Sequence, residues 1–244
     1  MQKERKMIKI KNLTKNFQTV KAVDNLSLEI FEGETFALLG LNGAGKSTTI
    51  NILSGLLQKT SGQIQIKNLD LDKDIAKIKQ IINLSPQETA IANNLTVKEN
   101  LEFIANLYKV PNLIDKTNQM LETFDLLQKK NTLAKKLSGG QKRKLSIAMA
   151  LITEPQILIL DEPTLGLDIK SRKALWKIIS SLKGKTTIIL TTHYLEEAET
   201  LSDRIGIMTN GKLVALGTKE EIISNSQKPN FEDAFLHFAG GEDE

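Results

Sequence analysis

The 244-residue chain contains no cysteine, which excludes disulfide staples and cysteine-ligated zinc as sources of stability. It also lacks any apolar run of membrane-spanning length. Its longest runs, such as Phe36 to Leu39 and Ile147 to Ile152, fall far short of the ~20 residues that a transmembrane helix requires, so the chain is not expected to span a bilayer by itself. The opening MQKERKMIKI has charges but no apolar stretch of the kind a secretory signal needs, and a reducing cytoplasm is the expected setting. Neither sign of charge dominates: 33 basic and 29 acidic side chains leave a net charge of +4, distributed along the chain rather than gathered in a nucleic-acid-binding arm. There is no internal repeat, low-complexity tract or long linker. What the chain does have is a 40% apolar content, enough to fill the core of one large domain or two small ones.

Apolar and polar residues alternate at Ile8 and Ile10 and again at Leu26, Leu28 and Ile30, the period-two pattern of half-buried strands and an expected antiparallel pair. The run TFALL is apolar throughout, as a strand buried on both faces should be. It leads into a glycine-rich turn at Gly40 to Gly45 and then a helix with Ile50, Leu53, Leu56 and Leu57 at helical spacing, closed by KTSG. Strands are expected at Gln63 to Lys67 and Ile81 to Ser85. Between Pro86 and Glu154 the pattern becomes helical. Thr96 and Glu99 form a capping box ahead of Val97, Leu101, Ile104 and Tyr108 on one face. Pro111 and Asn112 interrupt, a second amphipathic stretch holds Leu113, Met120, Leu121, Phe124 and Leu127, and a third helix follows SGG through Leu145 to Ile152. The α/β texture returns with the buried strand ILIL at 157–160, a helix with Leu175, Trp176 and Ile179, the strand TTIIL at 186–190, and a short acidic helix through Leu195 and Ala198. Asn210-Gly211 predicts a tight hairpin. After Lys219 the pattern predicts one helix, then the segment FEDAFLHF and an acidic, glycine-containing end.

Three motifs carry chemistry. GLNGAGKST, covering Gly40, Leu41, Asn42, Gly43, Ala44, Gly45, Lys46, Ser47 and Thr48, fits the phosphate-binding loop pattern. Its glycines let backbone N–H groups face phosphate oxygens, and the following helix adds the positive end of its dipole. Lys46 would neutralise the β- and γ-phosphates and the Ser47 hydroxyl would ligate Mg²⁺. ILILDE ends a buried strand in two carboxylates. Alone it reads as a strand end with exposed acids; beside a phosphate loop, Asp161 lies where open α/β sheets bind ligands and can hold Mg²⁺ through water, and Glu162 becomes the candidate general base. LSGGQ, with Ser138, Gly139, Gly140 and Gln141, reads plainly as a loop into a helix, yet it also forms a second anion-seeking helix start. Either both helix starts grip one nucleotide, or the second serves a partner's nucleotide.

Taken together these residues resemble the ATP-binding subunit of an ABC transporter over essentially the whole chain. Gly40 to Thr48 matches the Walker A loop, Leu137 to Gln141 the signature motif and Ile157 to Glu162 the Walker B strand; Gln87 in SPQET matches the Q-loop glutamine, LGLD ending at Asp168 the D-loop, and His193 the switch histidine. Phe17 falls at the family's adenine-stacking aromatic. LTVKENLEF, HYLEEAE, LVALGT and EDAFLHFAG resemble the drug-export branch, which works with separately encoded membrane subunits.

The resemblance implies an α/β fold: a P-loop NTPase core at 1–86 and 155–219 with opening antiparallel strands, an inserted helical signature subdomain at 87–154, and a short tail at 220–244. It implies ATP and Mg²⁺ as cofactors, with Ser47, Gln87 and Asp161 at the metal. Glu162, His193, Lys46 and Gln87 would be catalytic: Gln87 would touch Mg²⁺ or the attacking water, and His193 would bond the γ-phosphate and Glu162. It also implies a head-to-tail dimer, feasible as a homodimer, in which the signature of one subunit completes the other's Walker site and Asp168 aligns the interface. Transmembrane permease subunits would be the further partners, at the cytoplasmic face of the cell membrane, with the isolated chain soluble. The alternatives are a soluble ABC-type ATPase acting on nucleic acid or ribosomes, and a regulatory nucleotide-binding module without transport. Length argues against the first, and no nucleic-acid partner is expected.

Overall fold

The computed structural model describes residues 5–240; the first four residues of the charged opening and the acidic end at 241–244 lie outside it. The alternating start folds as the expected pair. β1 (Lys6–Phe17) and β2 (Val20–Phe31) run antiparallel, with Ile8 opposite Ile30, Ile10 opposite Leu28 and Leu13 opposite Leu26. β4 (Ser61–Ile66) joins the other edge of β1, and the two-residue β5 (Leu69–Asp70) completes a sheet of order β2-β1-β4-β5. A second sheet has the order β10-β9-β3-β8-β7-β6, formed by β3 (Thr35–Leu39), β6 (Ile82–Ser85), β7 (Ile157–Asp161), β8 (Thr187–Thr192), β9 (Arg204–Thr209) and β10 (Lys212–Gly217). Its pairings are parallel except for the β9–β10 hairpin, whose turn residues Asn210 and Gly211 both take positive φ.

The continuously apolar runs belong to the central strands because both faces of the second sheet are covered. Phe36, Leu38, Ile157 and Ile159 point into a core shared with the first sheet and with α1 (Lys46–Leu53). Their alternates Ala37, Leu39, Leu158 and Leu160 enter a second core on the opposite face. That second core is shared by α3 (Val97–Leu107), α4 (Leu113–Thr123), α5 (Gly139–Leu151), α6 (Ile169–Ser181), α7 (Leu195–Leu201), α8 (Lys219–Ser226) and α9 (Phe231–Ala239). Fully burying one such Leu, Ile or Phe contributes ~1.5–3 kcal/mol.

Several sequence expectations need adjustment. α1 stops at Leu53 instead of continuing to Leu57, because Gly55 adopts φ +70 and the amides of Leu56 and Leu57 both turn back to the Asn51 carbonyl; Leu56 is left exposed. Tyr108 lies just past the end of α3 and is exposed, so it does not continue that helix's apolar face. Leu127 sits in a short 3₁₀ turn and is exposed. The segment FEDAFLHF is itself a helix, α9, because Asn230 caps it by accepting from the Asp233 amide at 2.9 Å and Phe231, Ala234 and Phe235 find the core. β5 and the one-turn α2 (Ile75–Ile78) had no legible signal.

Candidate functional site

The glycine-rich turn leaves the carboxyl end of β3, where its geometry is set by contacts that admit no side chain. A Cβ on Gly40 would lie 2.4 Å from the Met208 carbonyl oxygen, and one on Gly45, at φ +100, would lie 2.4 Å from that of Ala22. Gly43 has φ +83 and open space around it, as a backbone that must admit a ligand requires. α1 begins at Gly45 with no side-chain cap and no acidic residue in its first turn, so its leading amides remain available to an anion.

Lys46 is buried, and its Nζ donates to the carbonyls of Gly40 at 2.8 Å and Leu41 at 3.1 Å. Burial pushes its pKa down, while Glu162, with Oε1 3.9 Å away, and Asp161 oppose the shift. Across the cleft, Asp161 at the end of β7 accepts from the Ser47 hydroxyl at 3.2 Å and from the Thr191 hydroxyl. Glu162 follows with φ +45, and its amide donates to the Thr191 carbonyl at 3.1 Å and hydroxyl at 3.0 Å. Those two bonds hold a conformation that costs an ordinary residue ~1–3 kcal/mol and turn the carboxylate towards the loop. His193, just past β8, puts Nδ1 3.4 Å from Glu162 Oε1 without an aligned hydrogen bond.

Lys46, Ser47, Glu162 and His193 line a cleft of ≈ 620 Å³ together with the rest of residues 42–48 and Phe17, Ala22, Gln87 and Leu165, within the range of small-ligand sites. Phe17 is about half exposed beside the cleft, with Lys15 Nζ over its ring at 4.8 Å from the centroid. The oxygen donors Ser47, Asp161 and Gln87 fit a hard divalent cation.

The other motif residues lie outside this cleft. Ser138 caps α5 in a reciprocal box: its hydroxyl accepts from the Gln141 amide at 3.3 Å, and its own amide donates to the Gln141 side chain at 3.1 Å. The box leaves Gly139 and Gly140 at the helix start, and a Cβ on Gly139 would meet nothing within 4 Å. Asp168 caps α6, accepting from the Ser171 amide at 2.9 Å and hydroxyl at 2.7 Å, which hold its pKa below the usual carboxylate range. Ser171 in turn abuts Gly140, where a Cβ would lie 3.1 Å from its Oγ. The cleft and the Ser138–Gly140 helix start are thus separate places on one chain.

Sequence reading passed over Thr191, which ties Asp161 to the Glu162 backbone, and Arg143, buried behind the site. It also passed over Glu197, which accepts from Thr164 at 2.8 Å and Trp176 Nε1 at 3.1 Å. Of these only Thr191 had a signal, its place at the carboxyl end of a buried strand two residues before His193.

The profile of the ABC transporter family matches residues 23–165. The human phospholipid-transporting ATPase ABCA3 is 43% identical over 217 residues, covering 86% of this chain but only 13% of that protein, so the chain spans a small part of such relatives. The linearmycin resistance ATP-binding protein LnrL of Bacillus subtilis is 39% identical over 221 residues, covering 89% of this chain and 71% of LnrL. Among solved structures, an ATP-binding subunit of an ABC transporter superposes with a TM-score of 0.86 at 28% identity, covering 95% of this chain and 99% of that one. A post-hydrolysis dimer of an ATP-binding cassette bound to ADP and Pi gives 0.79 at 28% identity, covering 87% and 98%. With the family matched over residues 23–165 and its motif residues lining one cleft, the chain belongs to the ABC transporter family, as an ATP-binding cassette with the ATPase fold.

Proposed function

We propose that the chain powers export of a substrate through separate transmembrane subunits by binding and hydrolysing ATP as a head-to-tail dimer. The observation that carries this reading is the division of the motifs: Lys46, Ser47, Gln87, Glu162 and His193 line one cleft, while Ser138 to Gly140 stand at an exposed helix start elsewhere on the surface. Each copy then holds half of two sites. The dimeric ADP-bound cassette supports the assembly, the drug-resistance relative supports export, and no helix among the described residues is long and apolar enough to cross a membrane. The relatives' names span phospholipid transport and linearmycin resistance, so they point to no single cargo. We divide the chain as a core at 1–86 and 155–219, a helical signature subdomain at 87–154 and a tail at 220–244.

In this reading the amides of the loop and Lys46 bind the β- and γ-phosphates, and Phe17 stacks on the adenine. Ser47, Asp161 and Gln87 would hold Mg²⁺, which would supply positive charge against the γ-phosphoryl group. Glu162 orients water for attack on that phosphorus and draws off its proton as the bridging P–O bond breaks and ADP leaves. His193, whose Nδ1 faces Glu162, places its Nε2 for the γ-phosphate and keeps the carboxylate in line. The partner's Ser138 to Gly140 close over the phosphates, so ATP bridges two surfaces that are incomplete alone.

Lys46→Ala should abolish phosphate release, and undiminished turnover would remove the loop from the site. Glu162→Gln should hydrolyse at least about 100-fold more slowly and, with ATP and Mg²⁺, elute as a dimer on size exclusion; a persistent monomer would refute the sandwich.

A further inference from the structure

Arg143 lies in the second turn of α5 and is 4% exposed. Its guanidinium donates to four main-chain carbonyls. Nε reaches Pro163 at 3.0 Å, Nη1 reaches Pro86 and, at 3.2 Å, Gln87, and Nη2 reaches Asp161. The paired ladder of β6 and β7 ends at Ser85 opposite Leu160. The carbonyls that Arg143 bridges are the ones just beyond, on the loop that carries Gln87 and on the turn that carries Asp161 and Glu162. One planar fork therefore continues the strand connection where backbone pairing stops. Three residues on, the hydroxyl of Ser146 lies 2.9 Å from that of Ser85, so the same face of α5 holds the end of β6 a second time. Buried carbonyls left without donors are destabilising, and a lysine ammonium lacks the rigid geometry to reach both segments. Burial lowers the arginine pKa to about 10, opposed by the charges of Asp161, Glu197 and Glu162, so the cation persists at neutral pH.

We propose that Arg143 is a positioning residue for hydrolysis that clamps the Gln87 loop to the carboxyl end of β7 and so couples the helix beginning at Ser138–Gly140 to the placement of Gln87. This rests on the ATPase reading above. It acts through Gln87 and touches no nucleotide.

The test uses full-length Arg143→Lys and Arg143→Met, each also in a Gln87→Ala background. Hydrogen exchange without nucleotide should rise at least about tenfold in both peptides covering 84–92 and 160–167, because both lose the same tether. ATP affinity in EDTA should change by less than about threefold while kcat falls about tenfold with little change in KM. In the Gln87→Ala background the same Arg143→Lys change should lower kcat by less than about twofold. Unchanged exchange in Arg143→Lys, or an equal kcat loss with and without Gln87, would overturn the clamp. If Arg143→Met does not fold, Arg143→Lys, which keeps the charge, answers alone. An active Lys46→Ala would defeat the ATPase reading, whereas the exchange result judges the clamp independently.

Discussion

Individual residues in this protein gain their roles from what surrounds them. Glu162 was legible as one of two carboxylates after a buried strand, but its left-handed backbone, pinned through Thr191, is what aims it into the cleft. Glu197 was legible only as part of the acidic helix within HYLEEAE. In the fold it is buried against the sole tryptophan, with Thr164 and Trp176 both donating to Oε1. Burial is the main cause pushing its pKa above the ordinary 4.5. A raised carboxylate pKa means that the folded state holds the proton more tightly than the unfolded state. Its contribution is therefore fully present below pH 4.5 and is lost as pH rises through the folded value. Glu197→Gln keeps an acceptor for both donors and has no such titration. Unfolding followed by Trp176 emission should show the wild-type stability, relative to Glu197→Gln, declining as pH rises from 4.5; a difference that is flat with pH would contradict the raised pKa.

At the level of elements, strands that are continuously apolar and helices with clear caps were read correctly, because burial on two faces and capping are written locally. Thr96 and Glu99, for instance, close the box of α3 as their spacing required. Elements ended by backbone conformation were misread: α1 stops at the left-handed Gly55 although Leu56 and Leu57 extend its apolar spacing. The change of texture at Pro86 predicted an inserted helical unit, yet Leu101 of α3 and Leu160 of β7 belong to one continuous core. Leu101→Ala, at a fully buried site, should therefore cost ~2–5 kcal/mol and lower the single unfolding transition of the whole chain. A separate early transition for the helical segment would show that it unfolds on its own.

For the whole molecule the decisive feature is that one chain carries the Lys46 cleft and the Ser138–Gly140 helix start but does not bring them together, which in the proposed reading makes them halves of two shared sites. Gly139 has open space around its Cβ position, so Gly139→Arg should fold normally and fail only where a partner approaches. Lys46→Ala and Gly139→Arg should each be inactive alone. Mixed in equal amounts they should recover up to about a quarter of wild-type ATPase activity, since half the dimers are mixed and each holds one intact composite site. A mixture as inactive as its components would contradict the head-to-tail arrangement.

Local sequence determined the phosphate loop, the carboxylates, the capped helix at Ser138 and the strand pattern, because each depends on residue types within a few positions of one another. Only the tertiary structure decided that Asp161, Ser47 and Thr191 meet, that Arg143 grips two loops beyond the end of a strand pair, and that Ser138 and Lys46 face different surfaces. Those outcomes join positions tens of residues apart. They arise from parallel strands placing their carboxyl ends side by side and from buried cations and carbonyls having to find partners inside the fold.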